Sequence, residues 1–234
     1  MRSKLPIGIA SASIAFVTGY TFFVRPWTRF WGATEAEVSC ILPGDDIVRH
    51  PPYLTTRAIT IQASATAIWQ WLIQMGQSRG GLYSYDWLEN VIGCDIHSTD
   101  HILPAYQRLA AGDTIRLTSP RRSDLALEVR FIEPERALVL GSPGYPEESM
   151  AAGYPHLSWA FVLDPIDERQ TRLIIRYRSD YKSTLVGTLF YQILLEPAHF
   201  LMERKMLLGI KQRAERNPMP VAVDTTHNIP IVLV

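Results

Sequence analysis

Hydrophobic and polar positions change period twice along this chain, and the changes predict its elements. Between residues 68 and 75, Ile68, Trp69, Leu72, Ile73 and Met75 recur at helical spacing, and Gly76 and Gly80-Gly81 then break the run into a turn. A second short helix is predicted after that turn, with Ser84 as N-cap, Trp87, Leu88 and Val91 as its apolar stripe and Gly93 as its stop. From Asp113 the period becomes two. Residues 113–119 place Ile115 and Leu117 on one face, and residues 125–132 place Leu125, Leu127, Val129 and Phe131 on one face against Glu128 and Arg130. Residues 136–141, 156–163 and 171–179 read as further strands. The last two put Leu157, Trp159, Phe161 and Leu163, and then Leu173, Ile175 and Tyr177, on one side, with Arg172, Ile174, Arg176 and Arg178 on the other. With the β-branched stretch 57–63, six antiparallel strands are expected around the helix pair. Residues 184–215 return to helical spacing through Leu185, Leu189, Ile193, Phe200, Met206, Leu207 and Ile210, with a bend forced at Pro197.

The N-terminus is different in kind. Residues 5–24 are twenty positions without a charge, between Arg2 and Lys4 on one side and Arg25 and Arg29 on the other. That length matches a hydrocarbon core of about 30 Å. A cleaved signal peptide competes with this reading, but the run is long for one and ends in Phe22-Phe23-Val24-Arg25-Pro26-Trp27 without a small-x-small junction. The expectation is a single-pass membrane anchor with Tyr20, Trp27 and Trp31 as interface aromatics. The domain plan is then residues 1–31 as anchor, 32–56 as a Pro- and Gly-punctuated linker across the domain surface, 57–216 as the folded domain and 217–234 as a tail.

Composition narrows the function classes. The chain has 234 residues, 47% hydrophobic, and 23 basic against 23 acidic side chains, so no global field recruits nucleic acid. Cys40 and Cys94 lie in no metal-ligand spacing and read as unpaired thiols.

Several stretches carry a family likeness: Thr56-Arg-Ala-Ile-Thr-Ile-Gln-Ala63, Trp69-Gln-Trp-Leu-Ile-Gln-Met-Gly76, Arg79-Gly-Gly-Leu-Tyr-Ser-Tyr-Asp-Trp-Leu-Glu89, Gly112-Asp113, Thr171-Arg-Leu-Ile-Ile-Arg-Tyr-Arg178 and Met202-Glu-Arg-Lys-Met-Leu-Leu-Gly-Ile-Lys211. Together with the element order, they resemble the START and birch-pollen-allergen-like (SRPBCC) superfamily, in a bacterial polyketide-cyclase-like branch, over residues 31–215. The resemblance implies an α+β helix-grip fold, a curved antiparallel sheet wrapped around a long C-terminal helix with an apolar cavity between them. The N-terminal anchor is no part of that fold. Strand faces carrying Leu127, Val129, Phe131, Trp159, Phe161, Ile175 and Tyr177 need a cover, and the C-terminal helix is the one available. A core packed solid is the alternative.

Candidate chemistry is sparse. His97, Asp100 and His101 would share a face if helical and could ligate a metal, although Ser98-Thr99-Asp100 reads equally as a cap, and no metal or cofactor is expected. Tyr83, Tyr85 and Asp86 could polarise a carbonyl, against plain aromatic packing. His199 and Glu203 sit one turn apart as either a hydrogen-bonded pair at the cavity end or a solvated face. Arg176 and Arg178 could grip a carboxylate, form a wet strand face or partner Glu203. The expected function is binding of a hydrophobic small molecule, a lipid or polyketide-like compound, by Tyr83, Trp87, Phe131, Trp159, Phe161, Tyr177, His199, Met202 and Met206. A cyclase or dehydratase using Tyr83, Asp86 or His97 is the second expectation, and a domain that only binds a partner the third.

Overall fold

The computed structural model describes residues 18–121, 125–144, 156–180 and 185–216. A π-helical turn, Tyr20–Val24, runs into helix α1 (Arg25–Arg29), followed by α2 (Glu35–Ser39), β1 (Tyr53–Ile61), α3 (Ala65–Ile73), α4 (Asp86–Val91), β2 (Thr114–Arg116), β3 (Ala126–Glu133), β4 (Ala137–Gly141), β5 (His156–Asp167), β6 (Gln170–Asp180), α5 (Leu185–Phe190) and α6 (Glu196–Arg216). All strand pairs are antiparallel, in the order β1-β6-β5-β4-β3-β2. One sheet of six strands laid on a long C-terminal helix is the α+β helix-grip arrangement.

Register explains which residues meet the helix. Partners across a ladder share a face, so Arg57, Ile175, Phe161 and Leu138 form one inward row, and Thr55, Tyr177, Trp159 and Leu140 the next. Leu127, Leu138, Phe161, Ile175, Met206, Leu207 and Ile210 are all buried in one cluster with α3. Phe131 leaves that face. The ladder slips between Val129 and Phe131, Arg130 is the extra residue, and Phe131 then pairs with Val139 on the outer side of the sheet and stands 41% exposed.

The outer face is covered too. Arg172, Arg176 and Arg178 bind the segment 32–49. Arg172 reaches Glu37 and the Gly32 carbonyl; Arg176 donates to the carbonyls of Glu37, Val38 and Cys40 and to Asp45; Arg178 donates to the carbonyls of Val48 and Arg49 and to Asp45. Leu42 packs there on Ala58 and Ile174.

The membrane-anchor reading is corrected. Residues 5–17 of the expected span lie outside the described residues, and among the described residues no helix is long and apolar enough to cross a membrane. What the span was to continue into packs on the domain instead. The Tyr20 hydroxyl donates to the Gln192 carbonyl at 2.7 Å, both Arg25 and Arg29 engage Glu196, and Trp27 and Trp31 lie edge-on to Phe200. The long helix is continuous in sequence but changes winding at Tyr191–Leu195, a π-helical turn just ahead of Pro197, which has no N–H to give. Within it Ile193 is 66% exposed, while beyond it Phe200 and Glu203 are buried, so the apolar stripe does not run through. The tail, 217–234, lies outside the described residues.

Candidate ligand site

The inward face of the sheet is apolar except at one end. β1 alternates Tyr53, Thr55, Arg57, Ile59 and Ile61 toward the helix, and this puts a guanidinium in a row otherwise made of Ile175, Phe161 and Leu138. α6 answers with Glu203, one turn beyond His199 and aligned with Phe200, Met206 and Leu207 along its buried side. Arg57 Nη1 donates to Glu203 Oε2, and both side chains are fully enclosed. Trp159 Nε1 donates to Glu203 Oε1 at 2.9 Å, and His199 Nε2 lies 3.5 Å from the same oxygen. His199 Nδ1 is 3.0 Å from the Tyr53 hydroxyl, and the Tyr177 ring stacks 4.5 Å from the imidazole.

Electrostatics follow from that enclosure. Burial works against the Glu203 charge, but Arg57 and His199 together outweigh it and hold the carboxyl at about 2. Burial pushes the Tyr53 phenol up to about 12, with Arg57 pulling the other way, so it stays a proton donor at neutral pH. Burial raises the Tyr177 phenol as well. Arg57 Nε donates to the Thr28 carbonyl at 2.8 Å, and its Nη2 is buried with no hydrogen-bond partner. His199 keeps 24% of its side chain exposed, so the imidazole meets solvent while the Arg57–Glu203 pair behind it does not. Tyr177 and Met202 beside it are half-buried.

The structure gathers Trp159, Tyr177, His199 and Met202 of the expected ligand-binding set at this end. Phe161 and Met206 are core residues with no exposure to speak of. Tyr83, Trp87 and Phe131 are elsewhere. Tyr83 is buried with its hydroxyl on the Trp71 carbonyl, its amide on Ser98 Oγ and the Arg213 guanidinium over its ring. Trp87 is 67% exposed, because α4 starts after Tyr85 and turns Trp87 and Val91 to solvent and Glu89 inward; Ser84 donates to the Met202 carbonyl rather than capping the helix. Asp86 accepts from the Ser98 amide and hydroxyl with its two oxygens. His97 is on the surface beside Asp95; Asp100 pairs with Arg213, and His101 meets Thr99. Residues 94–99 are not helical, so His97, Asp100 and His101 share no helix face.

Sequence reasoning passed over Tyr53, left in the linker, and Arg57. The available signal was a charged residue on the inward register of each of two facing elements, Arg57 in β1 and Glu203 in α6. Two open grooves of about 410 Å³ each lie apart from the cluster. One is floored by Trp69, Ile73 and Leu109, the other lies under the segment around Leu42 and Pro43.

No family model and no curated protein matches the chain. Solved structures similar to it include the Zhui aromatase/cyclase from Streptomyces sp. R1128, 14% identical with a TM-score of 0.40 over 70% of this chain and 94% of that one. They include the di-domain ARO/CYC BexL from the BE-7585A biosynthetic pathway, 12% identical with a TM-score of 0.41 over 70% of this chain and 47% of that one. The Aha1 dimer from Colwellia psychrerythraea is 20% identical with a TM-score of 0.39 over 70% and 96%. At these identities and TM-scores neither a family nor an activity passes from them to this chain.

Proposed function

We propose that the domain binds a hydrophobic small molecule, lipid-like or polyketide-like, at the end of the sheet–helix interface marked by Tyr53, Arg57, Tyr177, His199 and Glu203. The observation that carries this reading is a fully enclosed Arg57–Glu203 pair in an apolar interface, bordered by His199, Tyr177 and Met202, which are only part-covered. A buried pair gives little net stability over an apolar filling. A mostly apolar wall with a few fixed polar points is the usual make-up of a small-molecule site. Fluorescence titration with N-phenyl-1-naphthylamine, followed by displacement with extracted lipids and with fused-ring polyketides, tests it. The expected outcome is uptake that weakens about tenfold in His199→Ala, on the order of one lost polar or aromatic contact, and is unchanged in Trp87→Ala and Phe131→Ala. Absence of uptake, or uptake indifferent to His199, would discard the proposal.

A cyclase or dehydratase is favoured by one specific feature, the imidazole of His199 set between the Glu203 carboxylate and the Tyr53 hydroxyl. With Nε2 toward Glu203, such an imidazole can take a proton at Nδ1 from the carbon beside a substrate carbonyl once the Tyr53 hydroxyl turns from Nδ1 to donate to the developing oxyanion. Glu203 then stabilises the imidazolium. In that case His199→Gln abolishes turnover while probe binding weakens no more than in His199→Ala.

A further inference from the structure

The polar cluster does not sit at an open mouth, because the N-terminal segment lies over it. Thr28 places its carbonyl on Arg57 Nε, the Arg29 guanidinium lies 5.1 Å from the centre of the Tyr53 ring, and Trp27 and Trp31 close on Phe200. Two arginines hold this cover to one carboxylate. Arg25 Nε and Nη2 reach Glu196 Oε2 and Oε1 at 2.8 Å each, and Arg29 reaches the same oxygens at 3.3 and 2.9 Å. Main-chain attachment to the sheet is a single bond, Ala58 N–H to the Trp31 carbonyl. On the outward side of the segment Phe22 and Phe23 are 70% and 75% exposed among the described residues. No described residue of the first two helical turns, 20–29, is buried, and no ladder joins the segment to the sheet, so it is held mainly by the arginines on the buried Glu196 carboxylate. Few buried apolar contacts describe an element at the low-stability end of a fold.

We infer that residues 20–31 are a displaceable cover over the ligand site, and that the Thr28 carbonyl holds the place of the guest's own oxygen acceptor. The inference rests on the ligand-binding reading above. Two features point to it. Arg57 Nη2 remains without an acceptor while the cover is closed, so the closed state does not satisfy the guanidinium. Moreover, the Arg57 charge is already balanced by Glu203, so a group that replaces Thr28 beside it should be neutral, a ketone, ester or amide oxygen; a carboxylate would leave a buried net charge. The guest enters as the cover lifts, and the ion pairs to Glu196 set how often it lifts.

The test uses the full chain and the neutral ketone probe 6-propionyl-2-dimethylaminonaphthalene. In stopped-flow mixing, Glu196→Gln should associate about fivefold faster than the parent, a modest factor because Arg25 and Arg29, at 18% and 19% exposure, can turn to water once unpaired. The parent's rate should rise between about 0.05 and 0.5 M NaCl, whereas the variant's should not. Hydrogen exchange read by mass spectrometry should show residues 20–31 and the Ala58 amide exchanging faster in the variant, with β5 and β6 unchanged as the control for folding. Arg25→Gln, at a side chain 18% exposed, repeats the experiment should Glu196→Gln fail to fold. Equal association rates with unchanged exchange in residues 20–31 would overturn the inference, as would tighter binding of the same naphthalene bearing a carboxylate. If neither form takes up any probe the ligand reading falls, and exchange alone decides the cover: protection of residues 20–31 equal to that of β5 and β6 in both forms sinks it.

Discussion

Glu203 and Glu89 are both carboxylates buried to within 2% of full enclosure, and their surroundings drive them in opposite directions. Glu203 has Arg57 and His199, so its folded-state pKa of about 2 lies below the ordinary value of about 4.3. Its contribution is therefore complete above that ordinary value and is lost as pH falls toward 2. Glu203→Gln should cost about 3 kcal/mol at pH 7, since it leaves the Arg57 charge uncompensated. In urea unfolding the gap from the parent should narrow steadily below pH 4. Glu89 has no hydrogen-bond partner on either oxygen. Burial and then the neighbouring Asp86 push it up to about 7, against a smaller pull from the Ser84 hydroxyl. A raised carboxyl pKa means the fold prefers the neutral acid, so stability falls as pH rises from the ordinary value through 7. Glu89→Met should then be more stable than the parent by about 3 kcal/mol at pH 8, with the difference closing by pH 4.5. A parent as stable as this variant at pH 8 would contradict the assignment. Neither outcome was legible in composition, which counts all acids alike; Glu89 was hidden because α4 begins one residue later than its apparent serine cap suggests.

Between elements, two contacts carry specific expectations. Gly209 on α6 lets the helix lie against the loop at Tyr83, where a Cβ would meet the Tyr83 carbonyl oxygen at 2.3 Å and its Cβ at 3.0 Å. Since backbone cannot swing aside as a flexible side chain does, Gly209→Ala should lose about 2 kcal/mol in thermal or urea unfolding despite alanine's better helix propensity. Arg176 joins β6 to the segment crossing the outer face by four bonds from its two terminal nitrogens, and its Nε adds one to Thr56. Lysine has three donors at one point and cannot span them, so Arg176→Lys should lower stability by about 2 kcal/mol and open residues 40–50 to limited proteolysis. Period-two alternation had already placed Arg172, Arg176 and Arg178 on one side of β6. It could not say that this side is covered, because their acceptors are main-chain carbonyls of a distant segment. The same alternation misplaced Phe131, since a bulge adds one residue without altering the pattern of residue types.

At the scale of the molecule the two carboxylates act together. Stability should climb from acid pH as Glu203 ionises, pass a maximum near pH 5 and decline toward pH 8 as Glu89 is forced to ionise in the fold; melting temperatures across that range check it. The sequence by itself determined the strands, the helix pair and the long final helix, because each depends on local periodicity; the helix-grip class came from the family resemblance that this element order and the quoted motifs carry. Only the tertiary structure decided that the described N-terminal residues fold back onto the domain, that Tyr83, Asp86 and His97 serve separate local roles, and that Arg57 meets Glu203. The fold-back and the Arg57–Glu203 pair join residues more than a hundred positions apart, and the Tyr83 and Asp86 bonds depend on how the irregular stretch 94–99 returns to the helix pair; no local periodicity encodes either.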